Sequence, residues 1–344
     1  MFGFGRLGSY NYFAHVEREL AARFATAGHE LIAHVIEDLP TASIRRRASR
    51  LAEVVSRTAT PADVIHLLGH STGGLDARLV ASPATRSIPS ETLGWLPRLR
   101  SVTTMNTPHY GTPLASFFTT AHGQRALAAL SMLTVTGLTL GAHPMRATSM
   151  ILGVLRRGDL SVPFKLLLLD RIVESLVGLV DDARSPEVRT FLSAIEDDQG
   201  SMLQVSPESM DLVVASFDDR PGVRYQSTAS MAPSPAPRRW VDTIGHPLRA
   251  LSLSLFFGLH RLTANTDEHY PCTALNGAAP SATEDRLVRA FGRAPTLKDN
   301  DGVVPLRSQL WGTLVWAGAG DHLDVLGHYR DDRKDVPAEL RHHD

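Results

Sequence analysis

The stretch DVIHLLGHSTGGLDARLV, residues 63–80, decides the fold. At its centre Gly69-His70-Ser71-Thr72-Gly73 has the form Gly-x-Ser-x-Gly. Val64, Ile65, Leu67 and Leu68 before it make a short apolar run, as a buried parallel strand does. After it, Leu75, Leu79 and Val80 share one helical face, with Asp76 and Arg78 outside that face. A strand that passes through a sharp glycine-rich turn into a helix lifts the central serine out, where it can act as a nucleophile. Gly69, Gly73 and Gly74 are small enough for a strained turn and for close helix–strand approach. The plainer reading is a buried serine in a glycine-rich turn.

Outward from this stretch, strands and helices alternate. Residues 17–27 read as a helix with Val16, Leu20 and Phe24 on one face, closed by Gly28. Residues 31–36 read as a strand. Ser43 is placed to cap a helix that runs to about Arg57, with Ile44, Leu51, Val54 and Val55 apolar. Arg45, Arg46, Arg47 and Arg50 belong on its solvated face rather than in a nucleic-acid patch. Residues 101–105 form a further strand, closed by Asn106-Thr107-Pro108. This alternation predicts an α/β chain with right-handed crossovers and a mostly parallel sheet, helices on both faces. From residue 115 to about 204 it stops. That segment is apolar and helix-rich, and Ile172, Val173, Leu176 and Val180 continue a broad stripe. It reads as an inserted helical lid. Strand signals return at residues 223–229 and 313–317. The expected division is a core of residues 1–114 and 205–344 and a lid of residues 115–204.

Composition narrows the function. A chain of 344 residues, 43% hydrophobic, can bury one large core. Lys+Arg number 35 against 36 Asp+Glu, so no global field draws nucleic acid or anionic membrane. Cys272 is the sole cysteine, which rules out an intramolecular disulfide and a thiolate metal cluster. The glycine-rich start, Met1-Phe2-Gly3-Phe4-Gly5, lacks the form of a signal peptide. The uncharged residues 126–145 hold several serines, threonines and glycines and make a poor bilayer span, so no integral membrane segment is expected.

A serine hydroxyl needs a base within hydrogen-bond reach, and the base needs an acid to fix its tautomer. On a sheet of this kind the order is serine, then Asp or Glu, then His. The chain has 15 histidines, so most must be ordinary. His322, in Gly320-Asp321-His322-Leu323-Asp324, follows the strand at 313–317 and has the right order and setting. His328 is its local rival, and His342 and His343 look like tail residues. The acidic turn Asp299-Asn300-Asp301-Gly302 precedes it, with Asp301 the first choice of acid and Asp299 the fallback. His66 reads as a buried, satisfied strand residue. His70 is expected to point away from the nucleophile and pack. His109 is expected to serve its turn rather than catalysis.

Several segments, in this order, resemble the bacterial triacylglycerol lipases of the α/β-hydrolase superfamily. Residues 4–13, FGRLGSYNYF, are similar to the segment just after the family's oxyanion loop. Residues 69–78 resemble its nucleophile elbow and following helix. Asn106-Thr107-Pro108-His109-Tyr110-Gly111-Thr112-Pro113 is similar to its T-P-H-x-G-[ST] loop. Residues 206–210 and 221–225 resemble its post-lid segment. Asn300-Asp301-Gly302-Val303-Val304 resembles the turn that carries the catalytic acid, and Asp321-His322-Leu323-Asp324 the H-L-D segment that carries the catalytic histidine.

The resemblance implies an α/β-hydrolase fold that cleaves carboxylic esters through an acyl-enzyme, with lipid-like acyl esters as the expected substrate class. Ser71 would be the nucleophile, His322 the base and then the acid, and Asp301 the orienting acid. The oxyanion hole would take the backbone N–H of Thr72 and a second donor aligning with Met1. The family's preceding His-Gly pair and its central strand are absent, so the N-terminal strand is expected to be missing and the true start to lie upstream. The chain as written suits the cytoplasm; an upstream start would allow secretion. No cofactor is expected. Some family members hold calcium, and Asp324 matches one ligand position, but no metal site is assigned. Partners are an ester or lipid substrate and transient contact with a lipid interface, with no nucleic acid. The alternatives are a phospholipase or acyltransferase on the same triad, or a truncated, non-catalytic hydrolase fold.

Overall fold

In a computed structural model of the protein, the β-branched and apolar runs of the sequence assemble, among the described residues, into a four-stranded parallel sheet. The structure describes residues 6–7, 10–11, 13–39, 41–120, 123–126, 129, 171, 174, 200–233, 247–266 and 281–327. A short antiparallel pair, β1 (Arg6–Leu7) and β2 (Tyr10–Asn11), precedes helix α1 (Ala14–Thr26). Helix α2 (Ile44–Thr58) starts where Ser43 Oγ accepts the Arg46 N–H at 3.3 Å, the expected cap. The sheet then runs in spatial order β3 (Ile65–His70), β4 (Leu99–Met105), β5 (Arg224–Met231), β6 (Thr313–Ala319). Helices lie on both faces, as the alternation predicted. Among the described residues no helix is long and apolar enough to cross a membrane.

Helix α3 (Gly73–Ala81) leaves β3 through the glycine turn and packs back on β3 and β4. Ile65, Leu67 and Val102 from the strands meet Ala77, Val80 and Ala81 from α3 in one buried cluster. Ala48 and Ala52 join them from α2, their small side chains letting α2 lie close against α3. Beyond β4 come α4 (Pro113–Phe118), α5 (Gly200–Gln204), α6 (Pro207–Ala215) and α7 (Pro247–Thr263). Helix α8 (Ser281–Phe291) covers β6, with Leu287 buried against Leu314, Ala229 and Met231. Of the expected lid, residues 115–120, 123–126, 129, 171, 174 and 200–204 fall among the described residues, and Cys272 lies outside them.

Four expectations change. Residues 31–36 are not a strand. Among the described residues β3 pairs with β4 alone, and the segment finds no ladder for its backbone groups. Strand β3 is not buried on both faces: Ile65 and Leu67 turn inward, while His66 and Leu68 are exposed. His66 is satisfied nonetheless, its Nδ1 lying 2.7 Å from Ser101 Oγ. Helix α3 is buried nearly all round, Asp76 and Arg78 included. And Arg47 is not solvated with its neighbours Arg45, Arg46 and Arg50.

Asp76 and Arg47 are buried because they neutralise each other. Arg47 Nε donates to Asp76 Oδ2 at 2.8 Å and Nη2 to Oδ1 at 2.9 Å, a bidentate pair that joins α2 to α3. Arg47 Nη1 also donates to the Ala42 carbonyl at 2.5 Å. Burial pushes the Asp76 carboxyl above the usual carboxylate range, and Arg47 opposes this. Arg47→Met should therefore destabilise the protein by about 3–5 kcal/mol, since Asp76 is left buried without its cation. The double variant Arg47→Met/Asp76→Leu should recover most of that loss. Urea melts of both variants check the pair.

Candidate active site

All four strands run the same way, so their carboxyl ends lie along one edge, where open α/β sheets bind ligands. Ser71 follows β3 directly. Its N–H donates to the Met105 carbonyl at 2.9 Å, so the ladder continues up to the serine. There the backbone turns to φ 55°, the left-handed region that a side chain disfavours. The close return of α3 explains two of the three glycines. A Cβ on Gly69 would stand 2.5 Å from the Gly73 carbonyl carbon, and one on Gly74 would stand 2.8 Å from Thr107 Cγ2. Gly73 faces open space and is not required for this packing.

The turn before β6 holds Asp301. Its Oδ1 accepts the N–H groups of Val303 (2.9 Å) and Val304 (2.7 Å), the Asx geometry that tightens such turns. Its Oδ2 accepts His322 Nδ1–H at 2.7 Å and Asn106 Nδ2–H at 2.8 Å. The His322 N–H also donates to the Asp301 carbonyl at 3.0 Å. The Ala232 N–H donates to the Asn300 carbonyl at 3.0 Å and ties the turn to the end of β5. Asp301 and His322 are both buried.

A carboxylate only accepts, so the proton of His322 sits on Nδ1 and the lone pair on Nε2. That Nε2 is buried and has no hydrogen-bond partner among the described residues. The structure thus joins Asp301 to His322 directly. It brings Ser71 to them through its neighbour: the His70 ring lies 4.6 Å from the His322 ring. His70 Nε2–H also donates to the His322 carbonyl at 2.8 Å. His70, expected to point away from the nucleophile and pack, packs against His322. No hydrogen bond joins Ser71 Oγ to His322 Nε2. Such contacts are often long before substrate arrives.

Thr72 precedes α3, and no hydrogen bond occupies its backbone N–H among the described residues. Met1, the expected second oxyanion donor, lies outside the described residues, as do His328, His342 and His343. Asp299 is no alternative acid: its carboxylate is held by Arg293 at 2.6 and 2.7 Å. Asp324 Oδ2 accepts the Asp321 N–H at 2.8 Å and closes the His322 loop. One such carboxylate does not make the six to eight oxygens of a calcium site. Among the described residues no three or more His, Cys, Asp or Glu side chains gather to hold a metal.

His109 serves the frame, as expected. Arg78 Nη1 can only donate, so His109 Nδ1 is its acceptor at 2.9 Å, and Nε2–H donates to Thr104 Oγ1 at 3.0 Å. Burial and the neighbouring Arg78 hold this imidazole well below the usual histidine range. Arg78 lies 3.3 Å from the Trp311 ring centroid and 5.1 Å from that of Phe217. Burial lowers its guanidinium pKa to about 10.

Two residues of the site escaped the sequence reading, Asn106 and His70. The only signal for the first was its place directly after a strand, since asparagine is among the few side chains at ease in left-handed backbone. Asn106 has φ 47°.

No protein-family model matches the chain, and no curated protein matches it in sequence. Solved structures do. Lipase 1 from Pelosinus fermentans matches with TM-score 0.50 at 17% identity, over 94% of this chain and 91% of that one. The Staphylococcus hyicus lipase matches with TM-score 0.50 at 15% identity, over 95% of this chain and 87% of that one. At these identities the likeness shows a shared fold: the α/β-hydrolase-like sheet of solved bacterial lipases.

Proposed function

We propose that this protein is a serine hydrolase of carboxylic esters, with Ser71 as nucleophile, His322 as base and Asp301 as orienting acid. The observation that carries the reading is the buried Asp301–His322 pair, its Nε2 without a hydrogen-bond partner among the described residues, with the His70 ring against it and Ser71 next in the chain in left-handed backbone. Two structures of the same fold come from bacterial lipases. Lipid-like acyl esters are the proposed substrates, and the helix-rich residues 115–204 the proposed lid.

Ser71 Oγ attacks the ester carbonyl carbon while His322 Nε2 takes its proton. Asp301 holds the resulting imidazolium in place and stabilises its charge. The tetrahedral oxyanion rests on the Thr72 N–H and a second donor, proposed near Met1. The C–O bond then breaks, the alcohol leaves with the proton from His322, and the acyl group stays on Ser71. Water, deprotonated by His322, attacks the acyl-enzyme; the acid departs and Ser71 regains its proton.

A fluorophosphonate probe tests this reading. It should add once per chain, and peptide mapping should place the adduct on Ser71. A cooperatively folded protein that never labels would instead be a hydrolase fold without activity.

A further inference from the structure

The chemistry proposed above needs Asp301 charged, with one oxygen aimed at His322. Two of the four donors on this carboxylate come from its own turn and a third is His322 itself. The fourth, Asn106 Nδ2, comes from the far end of a different strand. Oδ2 can only accept, so the Asn106 amide must turn its NH2 toward it. The second N–H of that group donates to Ser230 Oγ at 2.5 Å, and Ser230 Oγ in turn donates to the Asp321 carbonyl at 3.4 Å. Asn106 therefore touches Asp301 directly and the His322 loop through one hydroxyl.

The backbone of Asn106 is held as firmly, its N–H donating to the Thr228 carbonyl at 3.2 Å. Its Oδ1 is buried with no hydrogen-bond partner among the described residues. An unmet buried acceptor and left-handed backbone are both costs, and neither falls on the NH2 side of the amide.

We propose that Asn106 is a positioning residue for Asp301: its amide clamps Oδ2 and so keeps His322 in the tautomer that presents Nε2. The inference rests on the serine-hydrolase reading. The ionisable groups around His322 are Asp301 from its turn and His70 from β3. In its own loop stand Asp321 and Asp324, whose carboxylates accept loop N–H groups, and from α1 His15 lies against Gly327.

Asn106→Asp is nearly isosteric and tolerates the backbone, but replaces the donor with a second carboxyl facing Oδ2. Two carboxyls so close share one proton, so Asp301 no longer carries its full charge and supports the His322 imidazolium less well. Labelling of Ser71 at neutral pH should slow between about 10- and 100-fold, with KM for an ester unchanged. Asn106→Gly removes the amide without adding charge and suits φ 47°. It should also slow labelling and displace the low-field NMR signal of the His322 Nδ1 proton. Folded Asn106→Asp with a wild-type rate, or folded Asn106→Gly with a wild-type rate and proton signal, would overturn the proposal. Should the wild type itself never label, the hydrolase reading falls. The Nδ1 proton then still reports on Asn106: an unchanged signal in Asn106→Gly overturns its positioning role independently.

Discussion

Ser71→Ala is expected to lower ester turnover by about 10⁶-fold while leaving the fold intact. The variant keeps the Asp301–His322 pair and the Thr72 N–H, so any residual rate would come from oxyanion stabilisation and binding alone. Alanine inherits the same left-handed backbone, so stability should barely change. Ser71→Gly makes the sharper comparison. Left-handed backbone costs a residue with a Cβ about 1–2 kcal/mol, and glycine does not bear that cost. The glycine variant should be as inactive as the alanine one yet melt no lower than the wild type. Initial rates on a soluble aryl ester together with thermal melts decide it. Turnover within tenfold of the wild type in either variant would place the nucleophile elsewhere.

Asp301→Asn should lower kcat by about 10⁴-fold. The turn dictates how the new amide must sit. The Oδ1 site receives two backbone N–H groups, from Val303 and Val304, so the amide oxygen belongs there. That forces the NH2 into the Oδ2 site, against His322 Nδ1. His322 can then avoid a donor–donor clash only by accepting at Nδ1, which moves its own proton to Nε2 and removes the base. Asn106 can respond by turning its Oδ1 inward, which stabilises the unproductive arrangement. The loss should therefore lie in kcat rather than KM, measured on the same ester.

The parts of this molecule legible in sequence are those set by local chemistry. The strand before Ser71, the cap at Ser43 and the Asp301 turn are each specified by residues within a few positions of one another. The order of Ser71, Asp301 and His322 is readable for the same reason, because each sits in a turn with its own signature. What tertiary contact decides was not readable. Asp76 and Arg78 lie outside the apolar face of α3, yet each is buried against a partner from a distant segment. Residues 31–36 have the composition of a strand, but a strand also requires a ladder, and β3 offers none among the described residues. Asn106 and His70 join the site through side chains whose partners lie 195 and 252 residues away.

Those two separations have a consequence for how the protein is made. A ribosome builds the Ser71 turn early, and that segment can fold and leave the exit tunnel long before its partners exist. Asp301 and His322, 21 residues apart, follow together much later in the chain. Until they do, the nascent chain carries a serine with no base, as inert as any surface hydroxyl. On this reading the Ser71 turn stays silent until β6 docks and brings the His322 loop with it.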